Sequence, residues 1–274
     1  MKGDTSPLFI YHKNCFDGFT AAWVFRLLVG EAGWWPATYG DKPPQTEGRE
    51  VWIVDFSYPR DEMFAIAAVA KTLYVLDHHK TAEADLFGLK AQLVRFDMKR
   101  CGSSLLWDEL APHTPRPWLV EYVEDRDLWR QALPDTKAVT AWIAAQPMTF
   151  EAWDEMQSDG RAECASRGAA VLRYIEQYGR KAREQARFET IYGQRVPTMN
   201  LPYMNCSEHV GALLEEHPEA EFAAGYFRRA DGRWQFSLRS KTFDVSEVAR
   251  SFGGGGHAGA AGFDVDRLPW EARP

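Results

Sequence analysis

Through the first hundred residues, short runs that are apolar at nearly every position alternate with stretches that are apolar every three or four. LFIYH (8–12) reads as a strand, and GFTAAWVFRLLVG (18–30) follows it with helical spacing and a closing glycine. EVWIVDFS (50–57) is a second buried strand; PRDEMFAIAAVAK (59–71) then opens with a proline and acidic residues that suit a helix start. TLYVLDHH (72–79) and AQLVRFD (91–97) supply a third and a fourth strand. Strands apolar on both faces and separated by helices predict a parallel α/β sheet covered on each side. Ligands of such sheets sit just outside the carboxyl ends of the strands.

From about 101 to 190 the pattern is helical. GSSLLWDEL (102–110), RPWLVEYVEDRDLW (116–129) and KAVTAWIAAQ (137–146) each carry an apolar stripe. The charged stretch from Ala165 to Glu189 has a narrow apolar seam and is expected to be a helix bridging two domains, with an ordinary surface helix as the alternative. After residue 194 the style changes. RVPTMN, EFAAGYFRR and RWQFSLRSK are strand-like, Ala230-Asp231-Gly232 marks a hairpin turn, and SEHVGALLEEH and VSEVARSF are short helices. The expected domains are 1–160, a linker helix 161–193, and a smaller α/β domain 194–274 that contains GGGGHAGAAGF (253–263).

Composition narrows the function classes. At 274 residues and 45% hydrophobic content the chain has ample material for packed cores. Its 32 Lys and Arg against 39 Asp and Glu give a net charge of −7, which argues against a general polyanion binder but not against a small anion held by a few local cations. No apolar run approaches the ~18 residues of a membrane span, and the amino terminus lacks the order of a signal peptide. Cys15, Cys101, Cys164 and Cys206 lie far apart, which excludes a zinc ribbon and disfavours a disulfide framework. A cytoplasmic location is expected.

The polar residues at the predicted strand ends carry the chemistry. His12, Asn14, Cys15 and Asp17 follow the first strand, Asp55 ends the second, and Asp77, His78 and His79 end the third. Asp125 and Asp127 lie farther on, in EDRDLW. Carboxylates gathered in one crevice repel one another unless a cation neutralises them. A mixed Asp/His set suits Mn²⁺, Fe²⁺ or Zn²⁺ better than Ca²⁺. The plainer alternative makes each residue a cap or a turn.

The motifs H-K-N-C-F-D-G, V-D-F, L-D-H-H-K and G-G-G-G-H-A-G-A-A-G-F, in this order, resemble the DHH family of phosphoesterases. The resemblance implies an amino-terminal DHH domain, a helical linker, a carboxyl-terminal DHH-associated domain, and two divalent ions, usually Mn²⁺. By position it assigns His12, Asp17, Asp55, His78 and Asp125 to metal, with Asp55 bridging and Asp127 the competitor of Asp125. Asp77 is expected to orient a ligand, and His79 to face substrate or donate a proton. Cys15 stands where the family usually has an aspartate, either as a metal ligand or as a buried strand-end thiol. Gly255, Gly256 and His257 of the glycine run, with Arg239 and Ser240, are assigned to substrate phosphate. Trp129, Trp234, Phe236 and Phe263 are candidates for stacking on a base, while Trp107 is expected in the core.

The expected activity is metal-dependent hydrolysis of short oligonucleotides to mononucleotides. Alternatives are cyclic-dinucleotide or polyphosphate hydrolysis, and a catalytically weak nucleotide-binding module. The expected partner is an oligonucleotide or nucleotide-phosphate, with no membrane and a homodimer left open.

Overall fold

A computed structural model describes residues 6–202 and 206–271. The chain divides into two compact units, residues 1–172 and 173–274. The first unit contains β1 (Leu8–His12), α1 (Phe16–Leu28), β2 (Gly33–Ala37), β3 (Glu50–Val54), α2 (Arg60–Val69), β4 (Thr72–Asp77), α3 (Lys80–Asp85) and β5 (Leu93–Phe96). Then come α4 (Gly102–Leu110), α5 (Trp118–Asp127), α6 (Thr136–Ala144), α7 (Phe150–Asp159) and α8 (Arg161–Arg183), within which the division falls. No helix among the described residues is long and apolar enough to cross a membrane.

The five strands form one parallel sheet in the order β2-β1-β3-β4-β5. Successive side chains of a strand point to opposite faces, and the two faces bury different sets. Phe9, Tyr11, Trp52 and Val54 pack under α1, α4, α5 and α7 with Trp23, Phe25, Leu105 and Trp153. Leu8, Ile10, Val51, Ile53, Leu73 and Val75 pack on the other side with Met63 and Ile66 of α2. The chain leaves β1 toward β2 on one side and resumes at β3 on the other, so the order reverses between β1 and β3. A parallel sheet opens its ligand crevice at such a point.

Strand β2 does not follow from the apolar pattern. It contains Pro36 and pairs only with β1, and the edge of a sheet is where a strand tolerates proline. The predicted bridging helix ends at Arg183, and the Arg187–Ile191 segment becomes a strand because Ile191 is fully buried against its neighbour.

The second unit contains β6 (Arg187–Ile191), β7 (Gln194–Asn200), α9 (Cys206–Glu216), β8 (Ala223–Arg228), β9 (Trp234–Arg239), α10 (Val245–Ser251), β10 (Gly255–His257) and β11 (Ala260–Val265). The mixed sheet runs β10-β11-β9-β8-β7-β6, with β7 and β8 parallel and the other pairs antiparallel. Gly232, at φ +88°, makes the predicted turn between β8 and β9. Part of the glycine run is a hairpin strand: a Cβ on Gly256, at φ +139°, would fall 2.6 Å from Ala261 Cα, so β10 requires glycine there for close approach.

Candidate metal centre

The parallel register decides which polar residues meet. Tyr11 of β1 aligns with Val54, and Val54 with Leu76. One residue farther along each strand, His12, Asp55 and Asp77 therefore stand side by side. Asp55 leaves the strand in the left-handed region, at φ +56°, while its N–H still donates to the Leu76 carbonyl at 3.0 Å. That turn aims its carboxyl group into the crevice. It is fully buried, with one oxygen (Oδ1) 3.1 Å from His78 Nε2 and the other (Oδ2) 3.9 Å from His12 Nδ1.

Two groups of ligand-type atoms flank this carboxylate. His12, Cys15 and Asp55 form one, and Asp17, His78 and Asp127 form the other; within each group the atoms lie within 4.8 Å of one another. His78 Nε2 is 3.9 Å from Asp17 Oδ2 and 3.5 Å from Asp127 Oδ2. Asp55 Oδ2 and Asp127 Oδ2 are buried without a hydrogen-bond partner. Buried carboxylate oxygens are costly unless paired, and a divalent cation is the partner that an Asp/His/Cys set of this composition suits.

The groups of the cluster shift one another's protonation. Burial, with Asp17 beside it, pushes the Asp55 carboxyl up to about 7. Burial works against a charged His78, but the hydrogen bond to Asp55 and the charges of Asp127, Asp55 and Asp17 prevail and raise it to about 10. Burial and then His79 lower His12 to about 4, which leaves a neutral imidazole able to ligate. Cys15 sits at the amino end of α1, and burial, reinforced by Asp55, pushes its thiol well up.

Asp77 plays a different part. Its Oδ1 accepts from the His78 and His79 N–H groups at 2.7 and 3.2 Å and lies 2.6 Å from His79 Nδ1; its Oδ2 accepts from the Ser57 hydroxyl at 2.6 Å. These contacts overcome burial and hold Asp77 well below the usual carboxylate range. The same pair raises His79, although burial opposes it. The Asp77 carboxylate thus holds the His79 ring and the main chain of both histidines.

Sequence reasoning missed the group that holds Asp17. The N–H groups of Gly102 and Ser103, at the start of α4, donate to it at 2.5 and 2.9 Å, and the Ser103 hydroxyl donates at 2.5 Å. A helix amino terminus is a natural anchor for a carboxylate. The signal lay in the small polar run C-G-S-S opening a helix. Glu124 of α5 grips the same turn from outside, accepting from the Cys101 N–H, the Ser104 hydroxyl and Arg100.

Of the two aspartates of α5, Asp127 faces the cluster and Asp125 does not. Asp125 turns away from the cluster and accepts from the Ala132 and Leu133 N–H groups, at 2.9 and 3.1 Å, and from the Thr136 hydroxyl at 2.5 Å. It caps the loop into α6. The spacing to Trp129 did not separate the two aspartates, because that loop-closing role involves residues seven to eleven positions away.

In the second unit, Arg239 ends β9 opposite Ala260 of β11, beside the glycine hairpin that carries Gly255, Gly256 and His257. Its guanidinium donates to the hydroxyls of Ser207 and Ser237 and to the Leu238 carbonyl. Ser240 differs from its expected role: its hydroxyl donates to the Glu221 carbonyl at 2.7 Å and accepts from the Thr242 and Phe243 N–H groups. Phe236 and Phe263 are core, stacked at 4.7 Å, and Trp107 is core as predicted. Trp234 packs on Tyr226, while Trp129 is 38% exposed.

Residues 204–272 match the DHHA1 domain family. Three solved structures share the fold. The DHH domain of a member of a family of ribosomal proteins aligns with a TM-score of 0.57 at 11% identity, covering 95% of this chain and 82% of that one. RecJ of Thermus thermophilus in complex with Mn²⁺ gives 0.54 at 17% identity, over 97% of this chain and 50% of that one. The pGpG-specific phosphodiesterase PggH of Vibrio cholerae gives 0.52 at 13% identity, over 95% and 93%. The chain shares the fold of these structures, and its carboxyl-terminal part matches the DHHA1 domain family. By sequence it is 27% identical to an uncharacterized protein of Acanthamoeba polyphaga mimivirus, over 94% of this chain and 67% of that protein. The DHHA1 match begins just before α9 and takes in Arg239 and the glycine hairpin.

Proposed function

We propose that the protein is a divalent-metal-dependent phosphodiesterase that cleaves short oligonucleotides to mononucleotides. The observation that carries this reading is the Asp55 carboxylate, whose two oxygens face His12 on one side and His78 on the other. Such a carboxylate suits two cations, one among His12, Cys15 and Asp55 and one among Asp17, His78, Asp127 and Asp55. Mn²⁺ suits the donor set, and the RecJ structure of the same fold holds it. Bound cations of this kind supply Lewis acidity to the phosphoryl oxygens and to the attacking water.

The chain's own residues set the geometry. The start of α4 holds Asp17, and Asp77 holds His78 and His79 in place. We assign His79, whose pKa the Asp77 carboxylate raises against burial and whose side chain is partly exposed, to donate a proton to the leaving oxygen. Arg239 and His257 are assigned to a substrate phosphate, a guanidinium fork being matched to phosphate oxygens. PggH, of the same fold, acts on pGpG, a two-nucleotide substrate, which favours a short substrate here. The unbridged cysteines suit a reducing compartment, and we assign the activity to the cytoplasm.

Incubation with a 5′-phosphorylated diribonucleotide in Mn²⁺ is expected to release mononucleotides. Outer partners of a metal ligand are worth roughly 10–100-fold, so Asp55→Asn is expected to lose more than ~100-fold. Near-wild-type turnover by that variant would falsify the reading. Cys15 favours one alternative, a catalytically weak nucleotide-binding module, because a protonated thiol supplies less charge than the aspartate it replaces. That alternative predicts nucleotide binding without turnover in any divalent metal.

A further inference from the structure

Beyond β2 the chain turns at Thr38–Asp41. The Thr38 N–H donates to the Asp41 carboxylate at 3.1 Å, the Asp41 N–H donates to the Thr38 carbonyl at 3.0 Å, and Gly40 takes φ +94°. The register places Ala37 beside His12, so this turn stands at the mouth of the Asp55 crevice. Its second residue, Tyr39, is 56% exposed. The ring is nonetheless held: its centroid lies 5.0 Å from Phe56, 5.4 Å from His12 and 6.5 Å from His79. None of these three rings lies parallel to it, the interplanar angles being 35°, 65° and 83°. An aromatic side chain on a fastened turn, held by three rings none of which is stacked parallel on it, and more than half exposed beside the candidate metal centre, has the form of a stacking platform.

We infer that Tyr39 receives a nucleobase of the substrate, which makes the substrates base-bearing nucleotides and not inorganic polyphosphate. The inference rests on the phosphodiesterase reading, because a phosphate at the Asp55 cluster would leave its own nucleoside within reach of the ring. A phosphate can at most accept a hydrogen bond from the phenol hydroxyl, whereas every base has a face to stack on the ring. The roles of the cluster and of Tyr39 are therefore separable: the first holds the phosphate and the second reads whether a base is attached.

The test is equilibrium binding, in Mn²⁺, of a diribonucleotide with a non-hydrolysable phosphonate linkage and of its abasic analogue of equal charge. Wild-type protein is expected to prefer the base-bearing ligand. Tyr39→Ala and Tyr39→Leu are expected to reduce that preference by about 10-fold or more, and Tyr39→Phe to keep it within about 3-fold. The leucine variant keeps apolar bulk on Phe56 and serves should the alanine variant fail to fold. No base preference in the wild type, a preference surviving in the leucine variant, or a loss in the phenylalanine variant equal to that in leucine each overturns the inference. Cleavage of the native diribonucleotide is measured in parallel. Its absence in the wild type, beside a base preference that still depends on Tyr39, would sink the phosphodiesterase reading and leave the stacking contact standing.

Discussion

The two aspartates of α5 show how far a role depends on direction. Asp125 is buried and accepts three hydrogen bonds from the loop into α6, whereas Asp127 presents to the cluster an oxygen with no hydrogen bond, 3.5 Å from His78 Nε2. Asp125→Ala is expected to destabilise the protein by about 1–3 kcal/mol, since it strands buried donors, with a smaller effect on Mn²⁺ affinity. Asp127→Asn is expected to do the reverse, and urea unfolding beside a Mn²⁺ titration separates the two. Asp55 adds a pH dependence. Its folded pKa, about 7, lies above the ordinary carboxyl value, so below that pH the folded protein holds a proton that a cation must displace. Mn²⁺ affinity is therefore expected to rise with pH through about 7 and to go on rising above it, because His78, raised to about 10, must also lose its proton to ligate. Calorimetry in buffers of different ionisation enthalpy should show protons released on binding; an affinity flat from about pH 5 to 7 would contradict it.

At the scale of elements, helix α4 works as an electrostatic part of the centre. Its first two N–H groups end on Asp17, and its first residue must be glycine: a Cβ on Gly102 would fall 2.7 Å from Asp55 Cβ and 2.9 Å from Asp55 N. Gly102→Ala must therefore push Asp55 or Asp17 out of place. Overpacking of this kind costs roughly 1–3 kcal/mol, and the displacement is expected to weaken Mn²⁺ binding about 10-fold or more, read by titration. Gly18 is under the same constraint at the start of α1, where a Cβ would meet the His12 carbonyl at 2.5 Å. Both helices were legible from their apolar stripes. The tight approach of α4 to the end of β3 was not, because closeness between segments more than forty residues apart leaves no periodic trace. The short strands β2 and β6 escaped for a related reason: each is a sheet edge held by pairing with one neighbour, with Pro36 inside β2 and Arg187, Glu189 and Thr190 inside β6.

For the whole molecule, a cation bound only by the folded state adds stability by mass action, about 2.7 kcal/mol when the free ion is at 100 times its Kd. Mn²⁺ is expected to raise the melting temperature in a concentration-dependent way, and a chelator to reverse the rise. Hydrogen exchange should show the largest gain in protection around 12–18, 55–57, 77–79 and 102–104, where the backbone frames the cluster. A gain spread evenly over both sheets would contradict a centre built in the first unit.

Strand composition by itself determined the parallel sheet, because residues apolar on both faces can be satisfied only between two helical layers. It also determined that His12, Asp55 and Asp77 lie at strand ends, since each directly closes or follows an apolar run. Which of these polar groups touch was decided by tertiary structure. The strand register set His12 beside Asp55, the left-handed turn at Asp55 aimed its carboxylate, and the packing of α5 chose Asp127 over Asp125. Register and packing depend on contacts among distant segments, and a side chain's direction follows from those contacts. Residue identity along the chain carries the chemistry of a site, while its geometry exists only once the strands have paired.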